Sequence, residues 1–329
     1  MNKKILILAA LVLALAACSN PSPGEGTVTG SAGTPTETPA TQGEAGPIPV
    51  THRQGEIVLE RQPQRVVVQD IAVLDILDAL GVDAVIGVPA RGLPDYLAQY
   101  GTEPYLKTGT LQEPDYEVIS AAQPDLVILA GRSRTKFSEV SAIAPTIDLS
   151  VDNDNLVEGV KANVTTLGAI FGKQERAAEL NAEIDGKFAA LRERTADAGT
   201  AIVLVTNAGR LGVYGNDSRL SWIFTEAGFK PVRDEVDDRF HGGDAVSFEF
   251  ILEADPAWIF VVDRDAGIGT SEGGAAQKLL DNALVHQTRA WKDGHIVYLD
   301  PVPAYVVMHG FTAVTRLADQ VMEAVGAGS

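Results

Sequence analysis

The chain carries one signature twice, and that repetition limits its fold more than any other feature. Glu117-Val-Ile-Ser-Ala-Ala-Gln-Pro124-Asp-Leu-Val-Ile and Glu249-Phe-Ile-Leu-Glu-Ala-Asp-Pro256-Ala-Trp-Ile-Phe share one order. A glutamate leads a short helix, a proline follows seven residues later, and a buried strand comes next. An arginine, Arg132 or Arg264, stands fifteen residues after each glutamate. Agreement at four spaced positions marks two related supersecondary units. The chain is therefore expected to fold as two lobes of one kind.

The surrounding pattern supplies the fold class. In the first half, β-branched and apolar runs at 65–69, 84–88, 125–130 and 146–149 read as strands. They alternate with helical spacing at 71–80, 116–122 and 138–143. In the second half, strands are expected at 201–206, 258–262 and 296–299, with helices at 220–226, 248–252, 279–282 and 311–325. Such βα alternation argues for parallel sheets, and so for an α/β protein with two Rossmann-like lobes and a ligand cleft between them. Between the halves, Val160, Val164, Leu167, Ile170, Ala177, Leu180, Ile184, Phe188 and Leu191 keep helical spacing. That spacing predicts one long interlobe helix over 155–195, with a hinge point at Gly172.

The N-terminus has a different character. Asn-Lys-Lys is followed by an apolar run over 5–15 and then by Ala16-Ala17-Cys18, the order of a secretory signal. The run is short for a membrane span. Leu15-Ala16-Ala17-Cys18 resembles a bacterial lipobox, which implies cleavage before Cys18 and lipid attachment to it. Cys18 is the one cysteine of the chain, so no internal disulfide forms. Residues 19–49 are rich in Ser, Pro, Gly, Thr and Glu and lack apolar periodicity, which reads as a solvated tether. The expected organisation is a signal peptide over 1–17, a tether lipidated at Cys18 over 18–49, an N-terminal lobe over 50–154, the helix over 155–195, and a C-terminal lobe over 196–329.

The formal net charge is -18, which disfavours nucleic acid as a partner. A small anion is still admissible, because a local arginine cluster acts over distances shorter than the screening length. Open α/β sheets bind ligands at the carboxyl ends of their strands. Arg132 and Arg264 each follow such a strand, and Arg219 lies in the loop Tyr214-Gly-Asn-Asp-Ser-Arg219 after another. Three guanidiniums there suit a multiply charged anion; the ordinary alternative is three solvated or acid-paired surface residues. No nucleophile elbow is present, Asp152-Asn-Asp154-Asn lacks the glycine and closing glutamate of a calcium loop, and 267–273 misses the dinucleotide spacing. The five histidines are scattered.

From Val50 onward the chain resembles the periplasmic binding proteins for ferric catecholate siderophores, of the enterochelin-uptake type. The stretches that carry the likeness include Asp75-Ile-Leu-Asp-Ala-Leu, Val85-Ile-Gly-Val-Pro89, Pro124-Asp-Leu-Val-Ile-Leu-Ala-Gly131-Arg132, Ile259-Phe-Val-Val-Asp-Arg264 and Val297-Tyr-Leu-Asp-Pro301. They span both halves in order. The resemblance implies a non-enzymatic, monomeric receptor that delivers a bis- or tris-catecholate ferric complex to an ABC permease. It implies that Arg132, Arg219 and Arg264 face catecholate oxygens, and that His241 and Tyr305 ligate the iron, which arrives only within the siderophore and is no intrinsic cofactor. It also implies that Glu117 and Glu249 dock on the permease and that the receptor is an exported, membrane-anchored lipoprotein.

Read from the residues alone, several roles stay open. His241, in a glycine-rich loop, is equally an exposed histidine, and Tyr305 a packed aromatic. Glu117 and Glu249 also suit helix N-termini electrostatically. Val302-Pro303-Ala304 stands where the family often carries aromatics, and His309 is either a competing ligand or a solvent-facing residue. The rival readings are a haem or corrinoid receptor on the same fold and a chelatase-like metal-handling enzyme.

Overall fold

The computed structural model describes residues 46–233, 236, 242–271 and 273–327. The chain enters through a hairpin of β1 (Ile48–His52) and β2 (Gly55–Leu59). The N-lobe sheet then forms from β3 (Val66–Val68), β4 (Val85–Val88), β5 (Leu106–Lys107), β6 (Leu126–Leu129) and β7 (Thr146–Asp148). Its order is β5-β4-β3-β6-β7, with every pair parallel. Helices α1 (Ile71–Leu80), α2 (Tyr116–Ala122) and α3 (Phe137–Ser141) make the crossovers. Val66, Val67 and Val68 are fully buried, as expected of a parallel strand covered on both faces.

The segment 155–195 departs from expectation. It is two helices, α4 (Leu156–Ile170) and α5 (Gln174–Arg194), folded back on each other. Asn181 on α5 donates to Thr165 Oγ1 on α4 at 2.9 Å, and Lys161 pairs with Asp185 at 2.6 Å. The chain reverses at Gly172, whose φ of +65° lies in the left-handed region. A Cβ on Gly168 would stand 2.5 Å from that of Ala177, so glycine permits the close crossing. Both helices bury one stripe against a common core, and the two stripes join into an unbroken pattern in sequence. Helix α4 belongs to the N-lobe, where Asn163 donates to the Leu149 carbonyl. Only α5, about 31 Å long from its 21 residues, runs between the lobes. Arg176 near its start donates to the Ala79 carbonyl of α1, and Arg192 near its end bonds the main chain and carboxylate of Glu226.

The C-lobe sheet contains β8 (Thr200–Asn207), β9 (Arg210–Tyr214), β10 (Lys230–Pro231), β11 (Asp244–Ala245), β12 (Trp258–Asp263) and β13 (Ile296–Tyr298). Strands β8, β12 and β13 are parallel and β10 pairs with β8, whereas β9 is antiparallel to β8. Sequence periodicity misses β9 because its turn uses Ala208 and Gly209, both at positive φ. The helices of this lobe are α6 (Trp222–Thr225), α7 (Phe248–Ala254), α8 (Arg264–Gly267), α9 (Ala275–Leu280) and α10 (Arg289–Lys292). The helix expected at 279–282 lies earlier, as α9. The last helix, α11 (Phe311–Ala327), returns to the N-lobe. No helix among the described residues is long and apolar enough to cross a membrane.

One buried carboxylate fixes that return. Asp75 on α1 accepts the Thr312 N–H at 2.7 Å, the Ala313 N–H at 3.0 Å and the Tyr96 hydroxyl at 2.9 Å. It thus caps a helix that starts more than 230 residues later. Burial pushes Asp75 up to about 6, against the opposing pull of its hydrogen bonds. The folded state therefore holds more protons than the unfolded chain between about pH 4 and that value, and this group's contribution to stability declines as pH rises through the window. The expected decline is on the order of 2–3 kcal/mol. Urea denaturation should show wild type losing stability relative to Asp75→Asn as pH is raised across it; parallel pH profiles would contradict the assignment.

Candidate functional site

The two sequence signatures fold alike. Helices α2 and α7 each have seven residues, N-capped by Asp115 and Ser247 and ended by Gln123 and Asp255 in left-handed conformation. Each leads through its proline to an interior parallel strand, β6 or β12. Glu117 and Glu249 are exposed in the first turns of α2 and α7. Hydrogen bonds from its own backbone and from Ser247 hold the Glu249 carboxyl below the usual range.

At the carboxyl ends of β6 and β12 stand Arg132 and Arg264. Gly131, with φ +45°, turns the chain so that Arg132 reaches across to the other half. Arg132 donates to the Val306 carbonyl at 3.0 Å and to the Tyr305 carbonyl at 2.8 Å. Arg219, only 9% exposed, donates to the Tyr305 carbonyl at 3.4 Å, and its guanidinium lies 4.7 Å from the Tyr305 ring centre. Arg264 Nε donates to the Tyr305 hydroxyl at 3.0 Å. Its guanidinium also bonds Asn207 and Asp265. Three arginines that are distant in sequence therefore converge on one tyrosine.

Tyr305 is itself nearly buried, in a π-helical turn over Pro303–Val307 that closes with the Met308 N–H on the Pro303 carbonyl. The wide turn leaves the carbonyls of Tyr305 and Val306 free to accept from the arginines. Gly267 is required beside it: a Cβ there would meet the Pro301 carbonyl oxygen at 2.7 Å and the Tyr305 Cβ at 3.1 Å.

The electrostatics favour an anion. Burial and the neighbouring Arg219 both weaken proton retention on Arg132, yet a guanidinium stays charged. Asp70, at the end of β3 and N-cap of α1, is buried near Arg132: burial pushes its carboxyl up, against the opposing pull of the Arg132 charge. Asp70 is not among the site residues expected from the sequence. Its signal was the strand-end rule that found the arginines, applied to an acid instead of a base. Tyr214, at the end of β9, adds a second ring, 5.8 Å from the Arg219 guanidinium.

Of the other expected site residues, His241 and Cys18 lie outside the described residues. His309 is not solvent-facing in the way expected: its Nε2 is sealed from solvent without a hydrogen-bond partner. No group of three or more His, Cys, Asp or Glu able to hold a metal ion occurs among the described residues. An open cavity of about 450 Å³, lined in part by Asp293, His295 and Glu323, lies at the opposite end of the C-lobe sheet from the arginines.

Comparison with known proteins places this geometry. The model of the periplasmic binding protein family matches residues 66–303. The chain belongs to that family. It is 32% identical over 329 residues to the petrobactin-binding protein YclQ of Bacillus subtilis, covering 98% of this chain and 99% of that one. The ferric-anguibactin-binding protein FatB of Vibrio anguillarum is 32% identical, with 84% and 87% covered. Among solved structures, the periplasmic catecholate-siderophore binding protein VctP of Vibrio cholerae superposes with a TM-score of 0.78 at 32% identity, covering 85% of this chain and 99% of that one. The two-lobed α/β fold expected from the duplicated signature is the fold of this family.

The arrangement also fixes the state of His309. Burial first, then Arg219 and Arg132, push its imidazole down to about 4. It should therefore show the nitrogen shifts of a neutral imidazole at about pH 5.5, where a free histidine is protonated. An imidazolium pattern at that pH, read by NMR on histidine-labelled protein, would contradict the buried placement.

Proposed function

We propose that this protein is the substrate-binding component of an ABC importer, capturing a ferric catecholate siderophore and passing it to the membrane permease without chemistry on it. The observation that carries the reading is the convergence of Arg132, Arg219 and Arg264, drawn from both lobes, on Tyr305. Catecholate oxygens are strong acceptors of charge-assisted hydrogen bonds, and catechol rings stack on guanidinium planes. On binding, ligand oxygens replace the Tyr305 and Val306 carbonyls as partners of Arg132. The names of the relatives, which bind petrobactin (YclQ), ferric anguibactin (FatB) and catecholate siderophores (VctP), support a ligand of this class.

Iron is cargo in this scheme. A bis-catecholate leaves two positions of ferric iron open, and the donor types of His241 and Tyr305, imidazole and phenolate, suit iron. Arg264 Nε, bonded to the Tyr305 hydroxyl at 3.0 Å, holds that oxygen in place. Glu117 and Glu249 are assigned to permease docking, one from each lobe. Their exposure on twin helices supports that use. Cys18 is assigned to lipid attachment, with 18–49 as the tether that lets an exported monomer reach its permease.

Tryptophan-quenching titration with a ferric bis-catecholate tests the reading. Submicromolar binding is expected, weakened roughly 10- to 100-fold by Arg132→Ala or Arg219→Ala, the loss of a hydrogen bond to a charged group. Preference for haem, or no change on arginine removal, would overturn it.

A further inference from the structure

The Tyr305 segment is anchored in a way that its place in the chain does not suggest. It follows β13 of the C-lobe sheet and directly precedes α11. Its main chain is nonetheless held by the N-lobe at two points. Arg132 takes the carbonyls of Tyr305 and Val306. Asp75 takes the first free N–H groups of α11, those of Thr312 and Ala313. Only four residues separate Tyr305 from Gly310, and Gly310 lies directly on Asp75: a Cβ there would stand 2.4 Å from Asp75 Oδ2. The side-chain end of Tyr305, by contrast, is bonded to Arg264 of the C-lobe.

We infer that Asp75 is a positioning residue for ligand binding, which fixes the Tyr305 turn to the N-lobe so that the phenol meets the ligand at a set height above Arg132. This rests on the proposed contact between Tyr305 and the ligand. The physical reason is reach. The π-helical turn is a single turn, flanked by Met308 at φ +42°, so its internal bonds shape it locally while its position depends on what grips its two ends. The upstream end is held by β13 and by the Ala304 N–H on the Asp300 carbonyl. The downstream end is held by a buried carboxylate with three donors, itself fully enclosed. Charge-assisted hydrogen bonds from backbone N–H to carboxylate are among the stronger single contacts available. Asparagine in place of Asp75 keeps the volume but gives up one acceptor oxygen, so the turn is loosened while the core stays filled.

The experiment is a double-mutant cycle in the full-length protein. Affinity for a synthetic ferric bis-catecholate is measured at a pH where Asp75 is ionised, for wild type, Asp75→Asn, Tyr305→Phe and the double variant. Tyr305→Phe and Asp75→Asn are each expected to weaken binding roughly tenfold, with the double variant no weaker than Tyr305→Phe alone, since coupled residues are not additive. The shift of the iron charge-transfer band on binding should shrink in Asp75→Asn. If Asp75→Asn binds as wild type does, or if its loss persists undiminished in the Tyr305→Phe background, the positioning role is wrong and the Tyr305 contact stands. If Tyr305→Phe binds as wild type does, the contact itself fails, and the inference with it. Should Asp75→Asn not fold, Gly310→Ala, which displaces the carboxylate from the cap, takes its place in the cycle with the same expected pattern.

Discussion

Guanidiniums crowded together at the boundary of two lobes are the constraint around which the site of this molecule is built. Arg132 and Arg219 repel one another in a setting that also strips them of water. Among their partners are the carbonyls of one π-helical turn and the face of one tyrosine ring, with the buried Asp70 nearby. The arginines make the site locally cationic in a chain whose net charge is -18. Screening makes the two compatible, because distant acids act weakly over the separation at which the arginines act strongly.

That arrangement needs a frame able to hold charges from both lobes against each other. Helix α5 supplies one tie, running from α1 to Glu226 and burying Leu180, Ile184, Phe188 and Leu191 along its length. Helix α11 supplies the other, returning from the C-lobe sheet to be capped by Asp75. Two ties of this kind resist wide opening.

Much of this was legible in the sequence, for a definite reason. The duplicated Glu–Pro–Arg signature is local, each copy spanning one helix, one strand and the following turn, so its spacing reports geometry directly. It yielded the two lobes and placed Arg132 and Arg264 at strand ends. The missed features all depend on contacts between distant positions or on unusual backbone. Helical periodicity over 155–195 cannot reveal a reversal at Gly172, because a folded-back pair buries the same stripe as a continuous rod. The β9 hairpin hides behind Ala208 in a left-handed conformation that alanine rarely adopts. Asp75 looks like a polar interruption on the buried face of α1, and only the presence of Thr312 and Ala313 beside it explains it. His309 reads as an ordinary loop histidine until the arginines around it are seen.

Recognition of ligand charge by arginines from both lobes sets this proposal apart from binding by shape alone. It is tested most directly by comparing, in one titration series, the affinities for a triply anionic ferric tris-catecholate and an uncharged ferric tris-hydroxamate of similar size. The catecholate complex is expected to bind at least about 100-fold more tightly, with rising salt narrowing the difference. Equal affinity, or tighter binding of the uncharged complex, would contradict it.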